Sequence, residues 1–394
     1  MNITAERAAD DDRIGSQDAD RPVLDIDLGA IDRNWARARA RAAPGAIVAA
    51  VVKCDAYGLG AGRIVPRLHG LGCRDFWVAH LDEAIACAAL APGARIHVLN
   101  GLAGVDPALF RRFGLVPVLA SLPDIAAAQQ EARRRGPLPV AVQLDTGLNR
   151  LGLDLGEVRR LIAEPERLAG LDIRLWMSHL AFFAEPGHPE NARQRRRLRA
   201  WLSRLPAAPV SLAASSGLYA GPEAHFDHIR VGSALYGVNT IRNREVGLEP
   251  VARLSAPMLR VNEVRAGAGV GYHGLYHAPA RRRLATVALG YGDGVPPQLA
   301  GRGEVRVAGH PAPIVGGIAM GLMSVDVTDL PEGLAAPGRR VVLYGADPRV
   351  ETVAALAGIA PNVLLTATAS RAIRAYSGSG DAALRAPTPS PDAP

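Results

Sequence analysis

Between residues 46 and 232 short apolar runs alternate with longer stretches in which apolar and polar residues repeat at helical spacing. The runs are AIVAAVVK (46–53), FWVAHL (76–81), RIHVLN (95–100), LVPVLAS (115–121), VAVQLD (140–145), IRLWMSH (173–179), VSLAAS (210–215) and HIRVG (228–232). They are short, rich in β-formers and apolar on both faces, as strands buried in a parallel sheet must be. In the segment 191–205, Leu198, Trp201, Leu202 and Leu205 fall on one helical face, and the arginines between them form its solvated side. Eight such units predict a (β/α)8 barrel. A doubly wound sheet would call for a dinucleotide fingerprint, and neither GLGAG (58–62) nor GAGVG (267–271) has its third glycine at the required spacing.

From about 248 the pattern changes. MLRVNEVR, RRLATVALGYGDG, GEVRVAG, APIVGGIAM, MSVDVTD and RRVVLYG follow one another with Gly and Pro turns and few helices between them. That describes a mostly antiparallel β domain. The expected organisation is a tail over 1–20, a barrel domain over 21–245, a β domain over 246–375 and a second tail over 376–394. The early strand VLDIDL (23–28) is placed to pair with the β domain. No apolar run approaches the ~20 residues that span a bilayer, and the N-terminus is polar and acidic. Neither a membrane nor a secretory destination is expected.

Composition adds a location and an oddity. Three cysteines in 394 residues make no disulfide framework, which fits a reducing cytoplasm. The ten histidines form no HExxH motif and the cysteines no CxxC pair, so no metal is expected. Lys plus Arg number 45, of which one is a lysine, Lys53, and 44 are arginines. The formal charge of +7 raises the question of nucleic acid. Dispersed arginines and 5% aromatic residues argue against it. A background that replaces lysine by arginine also asks why one lysine remains. Arginine serves wherever a cation or donor is wanted, but it cannot deprotonate and attack a carbonyl. Lys53 ends the first barrel strand, and in such barrels the chemistry sits at the carboxyl ends of the strands.

The words around Lys53 carry a resemblance. VVKCDAYGLG (51–60) resembles the lysine motif of bacterial alanine racemases, enzymes that use pyridoxal phosphate (PLP). The likeness continues in family order through LDTGLNRLGL (144–153), WMSHLA (176–181), AASSG (213–217), FDHIRVGSALYG (226–237), GVGYHGLYHA (269–278), LGYGDG (289–294) and PIVGGIAMGLMSVDVTDL (313–330). It implies a PLP-binding barrel followed by a β domain, acting on a small amino acid as a head-to-tail homodimer with shared active sites.

Residue by residue, the resemblance makes Lys53 the cofactor-bearing lysine and one catalytic base, with Tyr272 the other base, contributed across the dimer. It sets Arg230 against the cofactor's ring nitrogen and His179 beside that arginine. Tyr57, Ser216, Gly232, Ser233 and Asn362 become phosphate-side residues. Arg150, Met320 and Tyr291 fall to the substrate, the last as a lining of its access channel. Gly58, Gly60 and Gly147 read as turn glycines.

Three positions depart from the family pattern. Gln143 stands where many members carry a carbamylated lysine that props the arginine matched by Arg150, and this chain has no second lysine to offer. Gly321 replaces an aspartate near the access channel. Asn362, in APNVLLT (360–366), replaces a phosphate-contacting tyrosine and opens space beside the substrate, as in related serine racemases. Three readings therefore stay open: an alanine racemase, a serine or broad-specificity racemase, and a PLP carrier without catalysis. Retention of Tyr272 argues against the last.

Overall fold

The computed structural model describes residues 18–378. β1 (Val23–Asp27) leads into a helix over Leu28–Arg41 that Asp27 caps, accepting from the Ala30 N–H at 3.0 Å. Arg39 and Arg41 lie in its last turn, where cations suit the exposed carbonyls. Eight parallel strands then close a barrel: β2 (Ile47–Val51), β3 (Asp75–Val78), β4 (Arg95–Val98), β5 (Val116–Leu119), β6 (Leu138–Gln143), β7 (Leu171–Met177), β8 (Val210–Ala214) and β9 (His228–Val231). Each expected run yields one strand. Closure comes from β2 pairing with β9, Ile47 opposite His228 through Ala50 opposite Val231. The helix Pro189–Leu202 buries Leu198 and Trp201, as its spacing predicts.

The barrel wall has two faces of different chemistry. Phe76, Val78, Ile96, Val98, Ile229 and Val231 join the core between barrel and helices. The alternate positions point inward. On β2 and β5 to β7 they are apolar apart from the buried Gln143 at the end of β6, and cluster around Trp77, with Ala49, Val51, Val118, Ala141 and Met177. On β3, β4, β8 and β9 they include Asp75, His97, Ser211, His228 and Arg230, all buried. One side of the interior is therefore a polar column.

The second domain holds β10 (Ala252–Val264), a small hairpin of β11 (Gly269–Val270) and β12 (Tyr276–His277), then β13 (Arg282–Val287), β14 (Glu304–Val307), β15 (His310–Val315), β16 (Met323–Asp326), β17 (Arg340–Tyr344) and β18 (Ile373–Ser377). Its sheet runs β13-β16-β15-β14-β17-β10-β1-β18, and β10 also pairs with β13. Six of its strands thus close on themselves through β10, while β1 lies antiparallel to β10 and parallel to β18.

The expected tails need correcting where they meet described residues. Tyr376 and Ser377, placed in the C-terminal tail, end β18, and the Tyr376 hydroxyl donates to the Leu59 carbonyl at 3.0 Å. The Ser-Gly cluster that follows hides this pairing from a reading of composition. Asp18 forms a turn with Arg21 at the other end, its carbonyl accepting the Arg21 N–H at 3.1 Å. Residues 1–17 and 379–394 lie outside the described residues.

Candidate active site

The strand β2 delivers Lys53 to the carboxyl end of the barrel, and the backbone then does something that the sequence does not advertise. Cys54, Asp55, Ala56 and Tyr57 all take left-handed dihedrals, with φ between 54° and 59°. For residues bearing a Cβ this costs roughly 1–2 kcal/mol each, so the surroundings must hold it. Glu83 does so from the next unit: its carboxylate accepts the Cys54 N–H at 2.6 Å and the Ala79 N–H at 2.7 Å. Asp55 accepts the Ala61 N–H at 2.7 Å and pairs with Arg374 of β18 at 2.6 Å. Gly58 (φ 85°) and Gly60 (φ 95°) let the chain leave the turn, and a Cβ on Gly58 would meet that of Ala369 at 2.6 Å. Strain of this kind, held by buried and charged partners, concentrates at functional sites.

Tyr57, so placed, leans on Tyr236 with ring centroids 4.7 Å apart, and Tyr236 donates to the Val51 carbonyl at 2.9 Å. Burial pushes the Tyr57 phenol up to about 12, so it is a hydrogen-bond donor at neutral pH. A Cβ on Gly232 would sit 2.5 Å from the Tyr57 oxygen and 3.2 Å from Val51 Cβ, so only glycine leaves this approach open. The Asn362 amide donates to the Ser233 hydroxyl at 2.9 Å, while its buried Oδ1 has no hydrogen-bond partner. With the amide turned over, Asn362 accepts from Ser233 and offers an N–H to an anion. Hydroxyls and an amide thus converge as donors that could cradle an anion. Ser216 is buried at the start of a short turn. Its neighbour Ser215 is the one that engages β9, accepting from the Gly232 N–H at 2.9 Å and the Ala234 N–H at 3.2 Å.

Arg230 is buried in the polar column. Its guanidinium donates to the Ser211 hydroxyl, to the Ser178 carbonyl at 2.7 Å and to His179 Nδ1 at 3.2 Å. Burial lowers it only to about 10, so it stays charged. His179 is pushed down to about 3, by burial first and then by Arg230, Arg150 and Lys53. It is therefore neutral, and Nδ1 accepts from Arg230. Gln194, fully buried on its helix, fixes this corner by donating to the His179 carbonyl at 3.1 Å and accepting the Ala181 N–H at 2.8 Å. Arg150 stands exposed on the loop after β6. Gln143 reaches that loop through the backbone, donating to the Leu151 carbonyl at 2.7 Å.

Lys53, Tyr57, Arg150, His179, Ser216, Arg230, Gly232 and Ser233 belong to the barrel, and Asn362 joins them from the helix Pro361–Thr368. Tyr272, Tyr291 and Met320 gather elsewhere, on loops of the second domain. The Tyr291 N–H donates to the Ala319 carbonyl at 3.0 Å and the Gly292 N–H to that of Met320 at 2.6 Å. A Cβ on Gly271 would lie 3.5 Å from the Gly317 nitrogen, which brings the Tyr272 turn beside them. These loops carry unusually bare apolar side chains: Tyr272 is 75% exposed, Leu275 70% and Met320 62%.

Residues 26–240 match the alanine racemase N-terminal domain, and residues 251–376 match the alanine racemase C-terminal domain. The chain belongs to the alanine racemase family. It is 41% identical over 369 residues to the alanine racemase of Brucella canis, covering 90% of this chain and 93% of that one. To the alanine racemase of Rhodospirillum rubrum it is 40% identical over 368 residues, covering 93% and 98%. Among solved structures it resembles alanine racemase from Bartonella henselae with covalently bound pyridoxal phosphate, with TM-score 0.87 and 34% identity over 91% of this chain and 99% of that one. The biosynthetic alanine racemase of Pseudomonas aeruginosa gives TM-score 0.84 and 35% identity over 91% and 99%. The family's two-domain fold is the one described above, barrel first and β domain second.

Sequence reasoning missed four supports of this family site: Glu83, Gln194, Ser211 and Ser215. Each acts on backbone or on another side chain from a different unit; no local motif marks Glu83, Gln194 or Ser211, while Ser215 lies in AASSG beside the Ser216 that the resemblance marks. At Gly321 a Cβ would meet nothing within 4 Å, so the missing aspartate reflects no steric demand.

Proposed function

We propose that this chain interconverts L- and D-alanine with pyridoxal phosphate carried on Lys53, by a two-base mechanism in a head-to-tail homodimer. The observation that carries this reading is the chain's single lysine, which follows β2 at its carboxyl end and acts electrostatically on His179 together with Arg230 and Arg150. The residues present fit the group: Gly232 lets the Tyr57 hydroxyl approach the backbone after β9, the unpartnered end of the buried Asn362 amide becomes an N–H donor when turned over, and the Tyr57 and Ser233 hydroxyls add donors suited to a dianion. When bound, the cofactor supplies an electron-withdrawing ring that stabilises negative charge at the substrate α-carbon.

The chain's residues do the rest. Lys53 removes or returns the α-proton on one face, and Tyr272 serves the opposite face. Arg230 carries only donors, so a ring nitrogen set against it stays unprotonated. That tempers the electron sink and favours prompt return of the proton over side reactions. His179, neutral and bonded to Arg230, holds the guanidinium in place. Arg150 offers the substrate carboxylate a cation, with Gln143 steadying its loop through Leu151. Tyr291 and Met320 narrow the access channel. A dimer supports the reading because Tyr272, Leu275 and Met320 are exposed in one chain and a partner's barrel mouth would cover them. Three free cysteines suit the cytoplasm as the place of reaction.

Racemase assay of the purified protein, with a visible absorption band that borohydride fixes, tests the whole proposal; a protein with neither would overturn it. Gly232→Ala tests the cradle. Its Cβ displaces Tyr57, and losing one bond to a charged group costs about 1.5–3 kcal/mol. Cofactor retention on dilution should therefore fall roughly 10- to 100-fold, read from loss of the visible band.

One observation favours a second substrate. Asn362 puts a short amide where a ring would fill space, which admits serine. Asn362→Tyr should lower the serine-to-alanine ratio of kcat/KM by about 10-fold, the scale on which pockets discriminate small groups. An unchanged ratio would remove serine from the proposal.

A further inference from the structure

The polar column inside the barrel has a lower layer that none of the chemistry above uses. Asp75 opens β3, His97 lies on β4 and His228 opens β9, beside the seam where the barrel closes. All three are buried. We propose that Asp75, His97 and His228 form a binding site for one divalent transition-metal ion of the zinc class, distinct from the racemase site.

Two observations support it. First, one ligand atom from each residue, carboxylate oxygen or imidazole nitrogen, lies within 4.8 Å of the others. Asp75 Oδ1 is 3.2 Å from His97 Nε2 and 3.7 Å from His228 Nε2. Tetrahedral zinc with bonds of about 2.0–2.1 Å sets its ligand atoms roughly 3.3 Å apart, so small rotations suffice. Second, His228 is buried with neither ring nitrogen hydrogen-bonded, and His97 Nδ1 is likewise unpartnered. Buried polar atoms are nearly always satisfied, and an exception signals a missing water or ion.

The surroundings supply a partner for the carboxylate and a way in. Arg95 grips Asp75 through Nε on Oδ1 at 2.8 Å and Nη2 on Oδ2 at 2.7 Å. Turning the half-exposed Arg95 frees Oδ1 for the ion and leaves Oδ2 held, the usual state of a ligating carboxylate. A cavity of about 450 Å3 opens at this foot of the barrel, lined by Asp75 and Arg95 with Arg39, Arg74 and Ile47. Two imidazoles and one carboxylate select a borderline metal over Mg2+ or Ca2+. Three protein ligands leave a fourth position for water. The ion would tie β3, β4 and β9 together one layer below Arg230, with Trp77 between: Trp77 stacks on His97 at 4.2 Å and has Arg230 5.6 Å from its ring centre.

The test is chelator-treated holoenzyme titrated with Co2+ and, separately, Zn2+. One Co2+ per chain should bind with visible ligand-field absorption, and Zn2+ should displace it. His228→Gln and His97→Gln, each checked for circular dichroism and a retained cofactor band, should lose at least tenfold in Co2+ affinity. X-ray absorption of the zinc-loaded wild-type protein should show two imidazoles at roughly 2.0–2.1 Å, a readout that does not depend on either variant folding. No uptake at micromolar metal, equal uptake by folded variants, or a zinc spectrum without imidazole would each overturn the proposal.

Discussion

Lys53→Ala is expected to abolish both the borohydride-fixed absorption band and racemisation, with a loss on the order of 10^4-fold or more. Removing a general base alone costs about 10^2–10^4-fold, and this variant also loses the covalent hold on the cofactor. The fold should survive, because the left-handed turn after Lys53 is held by Glu83, Asp55 and the buried Ala56, none of which the substitution touches. Lys53→Arg separates charge from chemistry: it keeps the cation but cannot deprotonate, and should be as inactive as the alanine variant. A small primary amine added to Lys53→Ala should restore part of the activity. A variant retaining more than a few per cent of the wild-type rate would remove Lys53 from the mechanism.

What could be read in advance follows from how local each signal is. The eight barrel strands were legible because wall strands covered on both sides are apolar almost throughout, and the one lysine stood out against 44 arginines. The polar column was not. HIRV and RIHV look like ordinary short strands until closure turns every second residue inward, and only then do His228, Arg230 and His97 share one interior. Asp75, His97 and His228 come from three separate units, so no spacing motif could announce them. The left-handed turn at Cys54–Tyr57 was equally hidden, since no residue there but glycine would advertise such dihedrals and none is glycine. Gln143 shows a subtler limit. A missing lysine could be counted, but its replacement's bond to the Leu151 carbonyl appears only once the loop after β6 is folded.

Tyr272→Phe should lower racemisation by about 10^2–10^4-fold, the worth of one general base, while leaving the cofactor band intact. Because Lys53 still serves its own face, one enantiomer should continue to exchange its α-proton with deuterated solvent without inverting. Loss of exchange from both enantiomers would mean that the phenol does something other than act as the second base. The same variant decides where the second base comes from. Tyr272 sits on an exposed loop of the β domain, and under the proposed two-fold assembly the Lys53 of one subunit works with the Tyr272 of its partner. Lys53→Ala and Tyr272→Phe chains, each nearly dead alone, then complement. A mixed dimer has one site with both bases and one with neither. Random reassortment of equal amounts makes half the dimers mixed, so activity should recover to roughly a quarter of the wild-type level. If both bases belonged to one chain, no mixed dimer would contain an intact pair, and mixing would recover nothing.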